Sequence, residues 1–201
     1  MRDFKIIVCV KQSLDTNLPL CLGNDGRIRH IGQEQFYIVN PVDRCALEAA
    51  ILIKRQINRG FISVVTVGPA IAEQTLHYCL AQGADEAIHV LCDDFDILDS
   101  FQISFILSKA IRDLDYDLIL CGNRSLDSTN SQVGASLAEL LDLPQVTDVL
   151  HFELSPKLKQ AKAHRRLEKG KTSEREVLSI EQSGGPFWTR TRDPSLIRTV
   201  L

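Results

Sequence analysis

Short apolar runs alternate along this chain with segments whose apolar residues recur every three or four positions. Phe4 to Val10 is nearly all apolar and β-branched, the pattern of a strand buried on both faces of a parallel sheet. Gly23-Asn24-Asp25-Gly26 then separates two short stretches, Leu18 to Leu22 and Arg27 to Ile31, which read as a surface hairpin. Asn40-Pro41-Val42-Asp43 is a helix start: Asn40 suits the cap, Pro41 the first helical position, and Asp43 the answering residue three positions after the cap. Ala46, Ala49, Ala50, Ile53 and Ile57 continue at helical spacing, and Gly60 is the expected stop. Phe61 to Val67 predicts the next strand, Ala72 to Gln82 a helix ended by Gly83, and Glu86 to Leu91 a third strand. A helix over Leu98 to Leu114 and a strand over Asp117 to Cys121 follow. This β-α-β-α-β-α-β beat predicts an α/β domain with a parallel sheet covered on both faces.

Beyond Cys121 the order is a polar loop from Asn123 to Asn130, a helix around Ser131 to Leu141 and a strand near Val146 to Leu150. From Phe152 the pattern changes. Alternating stretches over Ala161 to Leu167 and Glu174 to Ile180 flank Lys169-Gly170-Lys171, which predicts a C-terminal β-hairpin extension. The pattern divides the chain into an α/β domain over 1–154, a β-hairpin extension over 155–182 and a tail over 183–201 with no clear period.

Composition narrows the picture without deciding it. The 201 residues are 44% hydrophobic and 24% charged with a formal charge of −3, ordinary values for a globular chain. Nothing in that balance points to nucleic acid or an anionic membrane. The N-terminal apolar run is too short for a signal peptide, and no run approaches a membrane span, so a cytoplasmic protein without membrane insertion is expected. The six cysteines are scattered, with no Cys-x-x-Cys pair, which predicts reduced thiols and no metal site. His30, His77, His89, His151 and His164 have no triad or metal-ligand spacing and read as core or surface residues. The cluster Asp93-Asp94-Phe95-Asp96 lacks the glycine and terminal glutamate of a calcium loop.

The strongest local feature is the segment Gly122 to Gly134, joining a parallel strand to a helix. Open α/β sheets bind ligands at such junctions. Ser125, Ser128, Thr129 and Ser131 offer hydroxyls and Gln132 an amide, while free N–H groups at a helix start favour a phosphate. The plainer reading of the same residues is helix capping after a surface loop. The ends of the strands after Val10 and Val67 and the segment around Asn40 belong to the same sheet edge, which makes a shared nucleotide pocket the functional expectation. Neither a GxxxxGK[ST] loop nor a GxGxxG after the first strand is present, and no SGGxDS-like pyrophosphate loop is either, so standard NTPase, dehydrogenase and adenylating readings lack their motifs.

Several separated motifs resemble one family. They are Ile6-Ile7-Val8-Cys9-Val10-Lys11-Gln12 with Asp15-Thr16, Asn40-Pro41 with Ala46-Leu47-Glu48-Ala49-Ala50, and Val67-Gly68-Pro69 with Glu73-Gln74-Thr75-Leu76. Ala81-Gln82-Gly83-Ala84-Asp85 and the loop Gly122 to Gly134 with Leu143-Pro144-Gln145 complete the set. In this order, over about 4–154, they resemble the β (small) subunit of electron-transfer flavoproteins. The resemblance implies a Rossmann-like three-layer domain of the adenine-nucleotide α-hydrolase-like type. It also implies a non-catalytic carrier subunit, and a heterodimer with a large (α) subunit that passes electrons between acyl-CoA-type or other dehydrogenases and an acceptor. Carried over by position, cofactor contacts fall at Cys9, Asn40, Pro41, Val42, Asp43 and Val67. The remaining contacts fall on the loop residues Asn123, Arg124, Ser125, Leu126, Asp127, Ser128, Thr129, Asn130, Ser131, Gln132 and Val133. The cofactor implied is FAD or AMP. Ser131-Gln132-Val133-Gly134 tilts the choice to FAD, since AMP-type members carry Asn and Thr where Ser131 and Val133 stand. Arg166 stands where the family has a Glu near the flavin, and the tail from about Ser183 departs from the family, as expected of a truncated or frame-altered member. A stand-alone ATP- or AMP-binding module of the universal-stress type shares the same beat and is the alternative reading.

Overall fold

The computed structural model describes residues 3–32, 35–155, 160–166 and 176–179. In chain order the elements are β1 (Phe4–Cys9), β2 (Gln12–Leu14), β3 (Leu20–Leu22), β4 (Ile28–His30), β5 (Tyr37–Val39), α1 (Pro41–Ile57) and β6 (Gly60–Gly68). They continue with α2 (Glu73–Gln82), β7 (Glu86–Leu91), α3 (Ser100–Ile111), β8 (Leu118–Cys121), α4 (Val133–Leu140), β9 (Val149–Ser155), β10 (Gln160–Arg165) and β11 (Glu176–Ser179). The central sheet is parallel in the order β7-β6-β1-β8. The architecture is therefore the parallel α/β sheet that the alternation predicts, Rossmann-like as the resemblance implies, with an antiparallel sheet added at its C-terminal end.

The alternation of side chains along β1 sorts the core into two layers, because successive residues of a strand point to opposite faces. Ile6, Val8 and Val10 join Leu47, Ala50, Ile51, Leu76 and Cys79 of α1 and α2. Ile7 and Cys9 face the other way and join Leu107, Ile111, Leu137 and Ala138 of α3 and α4. β6 and β8 repeat the division, with Ile62, Val64, Leu118 and Leu120 on the first face and Val65, Val67, Ile119 and Cys121 on the second. Each fully buried Ile or Leu of this set contributes about 1.5–3 kcal/mol relative to exposure. The order of the strands places a switch point between β1 and β8, since the chain leaves β1 toward β6 and returns to β8 on the other side.

The helix ends differ from expectation in two places. α1 closes at Asn58, whose left-handed φ of 56° lets its N–H reach the carbonyl of Lys54. Gly60 instead opens β6, where a Cβ would sit 2.9 Å from Lys54 Cα. Asn40 stands at the N-cap of α1, yet its side chain makes no cap bond because it is engaged elsewhere. Gly83, at φ 123°, does end α2. α3 starts with a full capping box: Asp99 accepts from the Gln102 amide at 2.7 Å and Gln102 accepts from the Asp99 amide at 2.9 Å.

The excursion after β1 is closed by a short ladder. β2 pairs antiparallel with β5, and between them β3 and β4 form the predicted hairpin. His30 anchors it from inside: the Phe36 N–H donates to His30 Nδ1 at 3.2 Å, so Nε2 carries the proton and donates to the Asp15 carbonyl at 2.8 Å. This return brings Asn40 beside the end of β1, with the Asn40 N–H on the Lys11 carbonyl at 2.9 Å.

The strand expected near Val146 to Leu150 lies at Val149–Ser155 and belongs to the second sheet, in the order β11-β10-β9. The predicted pairing of the two C-terminal stretches is present, Ala161 opposite Leu178 and Lys162 opposite Val177. Leu154 and Ala161 pack into the α1-side layer, and Gln56 of α1 donates to the Leu154 carbonyl at 2.9 Å. The Lys169-Gly170-Lys171 turn and the tail over 183–201 lie outside the described residues. All six cysteines are unbridged; Cys9, Cys79 and Cys121 are buried, while Cys21 and Cys45 are exposed. No helix among the described residues is long and apolar enough to cross a membrane.

Replacing His30 by Phe keeps the ring but strands the Phe36 N–H and the Asp15 carbonyl. The expected cost is about 2–4 kcal/mol, with amide exchange accelerated across 15–36 and the parallel sheet still protected. Unchanged exchange at Phe36 would refute this anchoring role.

Candidate functional site

A cleft of about 340 Å³ opens at the carboxyl ends of the parallel strands, over the switch point between β1 and β8. That volume lies within the range of roughly 300–1,000 Å³ usual for small-molecule sites. Its floor is made of strand ends and the residues that follow them: Cys9 of β1 with Val10 and Lys11, Val67 of β6, and Cys121 of β8 with Gly122. One wall is the start of α3 with the turn before it, including Phe95, Asp96, Asp99, Ser100 and Ile103; the other is the loop from Asn123 to Val133.

The floor is tied together by two buried polar side chains from the start of α1. Asp43 accepts the Lys11 amide on Oδ2 at 2.8 Å and the Gly122 amide on Oδ1 at 3.1 Å. Asn40 holds the loop: its Nδ2 donates to the Arg124 carbonyl at 2.9 Å and its Oδ1 accepts the Leu126 amide at 3.0 Å. These amides lie past the ends of the strand ladders in partly buried positions, where a protein acceptor replaces the missing ladder partner. The residues that sequence reading assigns to helix capping are thus used to join β1, β8 and the loop. Burial pushes the Asp43 carboxyl up to about 7, against the pull of the Lys11 amide, Asn40 and the Gly122 amide toward the ionised form. The same burial, with Asp43 nearby, pushes the Cys79 thiol up to about 12. Cys9 and Cys121 are register partners on β1 and β8, and a hydrogen bond that the protonated Cys121 thiol gives to Cys9, together with burial, raises the Cys121 thiol well above its ordinary value.

The loop is fastened to α3 on its far side. Asn130 Nδ2 donates to Ser100 Oγ at 3.1 Å, and Ser104 Oγ to the Val133 carbonyl at 3.1 Å. Flanking Asn130, Thr129 and Ser131 adopt left-handed φ values of 51° and 54°. A β-branched residue there costs free energy, of order 1–3 kcal/mol in strained loops, and such strain concentrates where a loop is held for a purpose. Ser125 and Ser128 share a hydroxyl contact at 2.7 Å.

Of the residues assigned by position, Cys9, Asn40, Asp43, Val67, Asn123, Arg124, Ser125, Asp127, Ser128, Asn130, Ser131, Gln132 and Val133 line the cleft. Pro41 lies in a separate groove between α1 and α2 with Arg44 and Tyr78. Val42 is half-buried behind Gly122, and Leu126 and Thr129 bond to site residues through their backbone. Sequence reading missed Lys11, Phe95 and Ser100. The position of Lys11, directly after the first parallel strand, was the available signal for it; Phe95 and Ser100 enter only because α3 packs beside α4. The expected α4 start at Ser131 shifts to Val133, so Ser131 and Gln132 belong to the loop. Arg166 is turned toward Asp148, its N–H on the Asp148 carbonyl at 2.9 Å and its Nε 3.6 Å from the carboxylate.

Residues 31–181 match the electron transfer flavoprotein domain family. Similar proteins include the electron transfer flavoprotein subunit beta of Bacillus subtilis (strain 168), 38% identical over 151 residues, 75% of this chain and 57% of the relative. The caffeyl-CoA reductase-Etf complex subunit CarD of Acetobacterium woodii is 36% identical over 167 residues, covering 83% of this chain and 62% of the relative. Protein FixA of Azotobacter vinelandii is 38% identical over 169 residues, covering 82% and 59%. The chain thus spans between 57% and 62% of the length of these relatives.

The buried carboxyl makes stability depend on pH with a definite sign. Asp43 keeps a proton in the fold up to about 7, whereas the unfolded chain releases it near 3.8. Its contribution is fully present below about pH 4 and is lost as the pH rises through 7. The melting temperature of the native chain minus that of Asp43→Asn should fall between about pH 5 and pH 8; a flat difference would refute the assignment. At Gly122 an added Cβ would lie 2.1 Å from Asp43 Oδ1 and 3.0 Å from its backbone nitrogen. Gly122→Ala should therefore cost about 3 kcal/mol or more in urea denaturation, and a loss below about 1 kcal/mol would show that the contact relaxes freely.

Proposed function

Because the chain belongs to the electron transfer flavoprotein domain family, we propose that it is the small subunit of a two-subunit electron carrier and that its cleft holds an adenine nucleotide. The observation that carries this reading is the placing of the Asn123 to Val133 loop at the switch point, where a doubly wound sheet receives its ligand. The hydroxyls of Ser125, Ser128 and Ser131 and the Gln132 amide face a cleft whose floor is rigid, and the first turn of α4 leaves N–H groups without helical acceptors. Such a set suits a phosphate or pyrophosphate joined to a heterocycle on the apolar wall of Val67, Phe95 and Ile103.

In this reading the cleft residues bind and orient the nucleotide, as suits a carrier subunit. Bound FAD would supply the redox chemistry, and bound AMP would serve as a structural ligand. The Ser131-Gln132-Val133-Gly134 variant of the loop favours FAD. Relatives named as subunits of an electron transfer flavoprotein and of a caffeyl-CoA reductase-Etf complex support assembly with a large subunit and, through it, exchange with dehydrogenases acting on acyl-CoA-type substrates.

Acid release of ligand from the purified protein, followed by mass spectrometry, should give FAD or AMP. ATP on a colourless monomer would instead select the stand-alone module. Ser131→Ala combined with Gln132→Ala should weaken nucleotide binding while leaving the melting temperature within a few degrees, because Gln132 makes no cap bond and both side chains are exposed. Unchanged nucleotide affinity in that double variant would overturn the loop assignment.

A further inference from the structure

The loop already carries an anion of its own. Asp127 Oδ1 lies 2.8 Å from Lys11 Nζ and accepts the Ser128 amide at 2.6 Å. Ser125 also supports the carboxylate, and although half-burial raises the Asp127 carboxyl, the hydrogen bonds and the Lys11 charge hold it below the usual carboxylate range. An ammonium and a loop N–H on one oxygen, with the Ser125 hydroxyl also on the carboxylate, form the kind of donor set that a phosphate would use.

Lys11 is built to change partner. Its backbone is pinned on both sides, the amide on Asp43 at 2.8 Å and the carbonyl under the Asn40 amide at 2.9 Å, so only its side chain can move. Its ammonium sits 5.7 Å from the centroid of the Phe95 ring on the opposite wall. Among the described lining residues it and Arg124 are the cations, against the carboxyls of Asp43, Asp96, Asp99 and Asp127. Asp43 is buried, Asp96 pairs with Arg27 at 3.1 Å, and Asp99 caps α3. Asp127 is therefore the cleft carboxylate whose partner an incoming anion can take.

We propose that Asp127 is an internal stand-in for the phosphate of the bound nucleotide, and that Lys11 recognises that phosphate by exchanging Asp127 for it. The inference rests on the nucleotide reading of the cleft. It makes Lys11 the residue that separates phosphorylated ligands from bare nucleosides, and Asp127 a competitor that lowers affinity in exchange for a filled donor set when the cleft is empty.

The test is titration of AMP, FAD and adenosine into the full chain by calorimetry, for the native protein, Lys11→Met and Asp127→Asn. The Lys11–Asp127 pair is partly exposed, with side chains 28% and 36% accessible, so the variants are expected to fold; circular dichroism checks that they do. Lys11→Met should weaken AMP and FAD about ten-fold or more, with a much smaller effect on adenosine. Asp127→Asn should tighten AMP. Equal losses for AMP and adenosine in Lys11→Met, or weaker AMP binding in Asp127→Asn, would overturn the exchange while leaving the nucleotide reading in place. Absence of binding of all three ligands to the native chain would remove the nucleotide reading itself.

Discussion

The two oxygens of Asp43, each holding a backbone amide from a different strand end, are the constraint on which the site is built. Where β1 and β8 stop being paired, the chain leaves β1 for the excursion toward α1 and leaves β8 for the loop toward α4. The amides of Lys11 and Gly122 lose their ladder partners there, in partly buried positions. A carboxyl from the first turn of α1 supplies both acceptors at once. Its own burial is unfavourable to the charge and is offset by those amides and by Asn40. Gly122 follows from the same contact, because a side chain there would occupy the space of the carboxylate. Asn40 extends the clamp to Arg124 and Leu126, so one helix start fixes three segments distant in sequence.

A rigid floor and a strained rim follow from this arrangement. The floor consists of buried strand ends whose polar groups are satisfied by protein. The rim is a loop with two left-handed residues, tied to α3 by Asn130 and Val133, presenting hydroxyls and a side-chain ion pair. Rearrangement on binding is thereby confined to side chains such as Lys11, Asp127, Ser131 and Gln132, and the backbone beneath them has little freedom to move. This division suits the proposed role, a carrier subunit that holds a nucleotide in one orientation.

The layering explains how a second sheet can be added without a second core. β9 and β10 place Leu154 and Ala161 against the face already formed by α1, β1 and β8. Their opposite face carries His151, Glu153 and His164, with the His151 and His164 rings edge to face at 5.8 Å. The alternation of Phe152 and Leu154 with His151 and Glu153 is what assigns the strand its inner side.

The amino-acid sequence by itself determined the parallel sheet, its helices and the loop after β8. These depend on local periodicity: a doubly buried strand must be continuously apolar, an amphipathic helix must repeat at three and four, and a left-handed stop such as Gly83 can be read at its own position. Asn40 and Asp43 were legible as important but under the wrong cause, since Asn-Pro-x-Asp satisfies the local rule for a helix cap. Only the tertiary structure decided that their side chains turn to backbone groups 32 to 86 positions distant. The same holds for Lys11 and Asp127, Ser100 and Asn130, and the displaced start of β9. Buried amides at strand ends must find acceptors wherever the topology brings them, and sequence spacing carries no record of that demand until the sheet order is known.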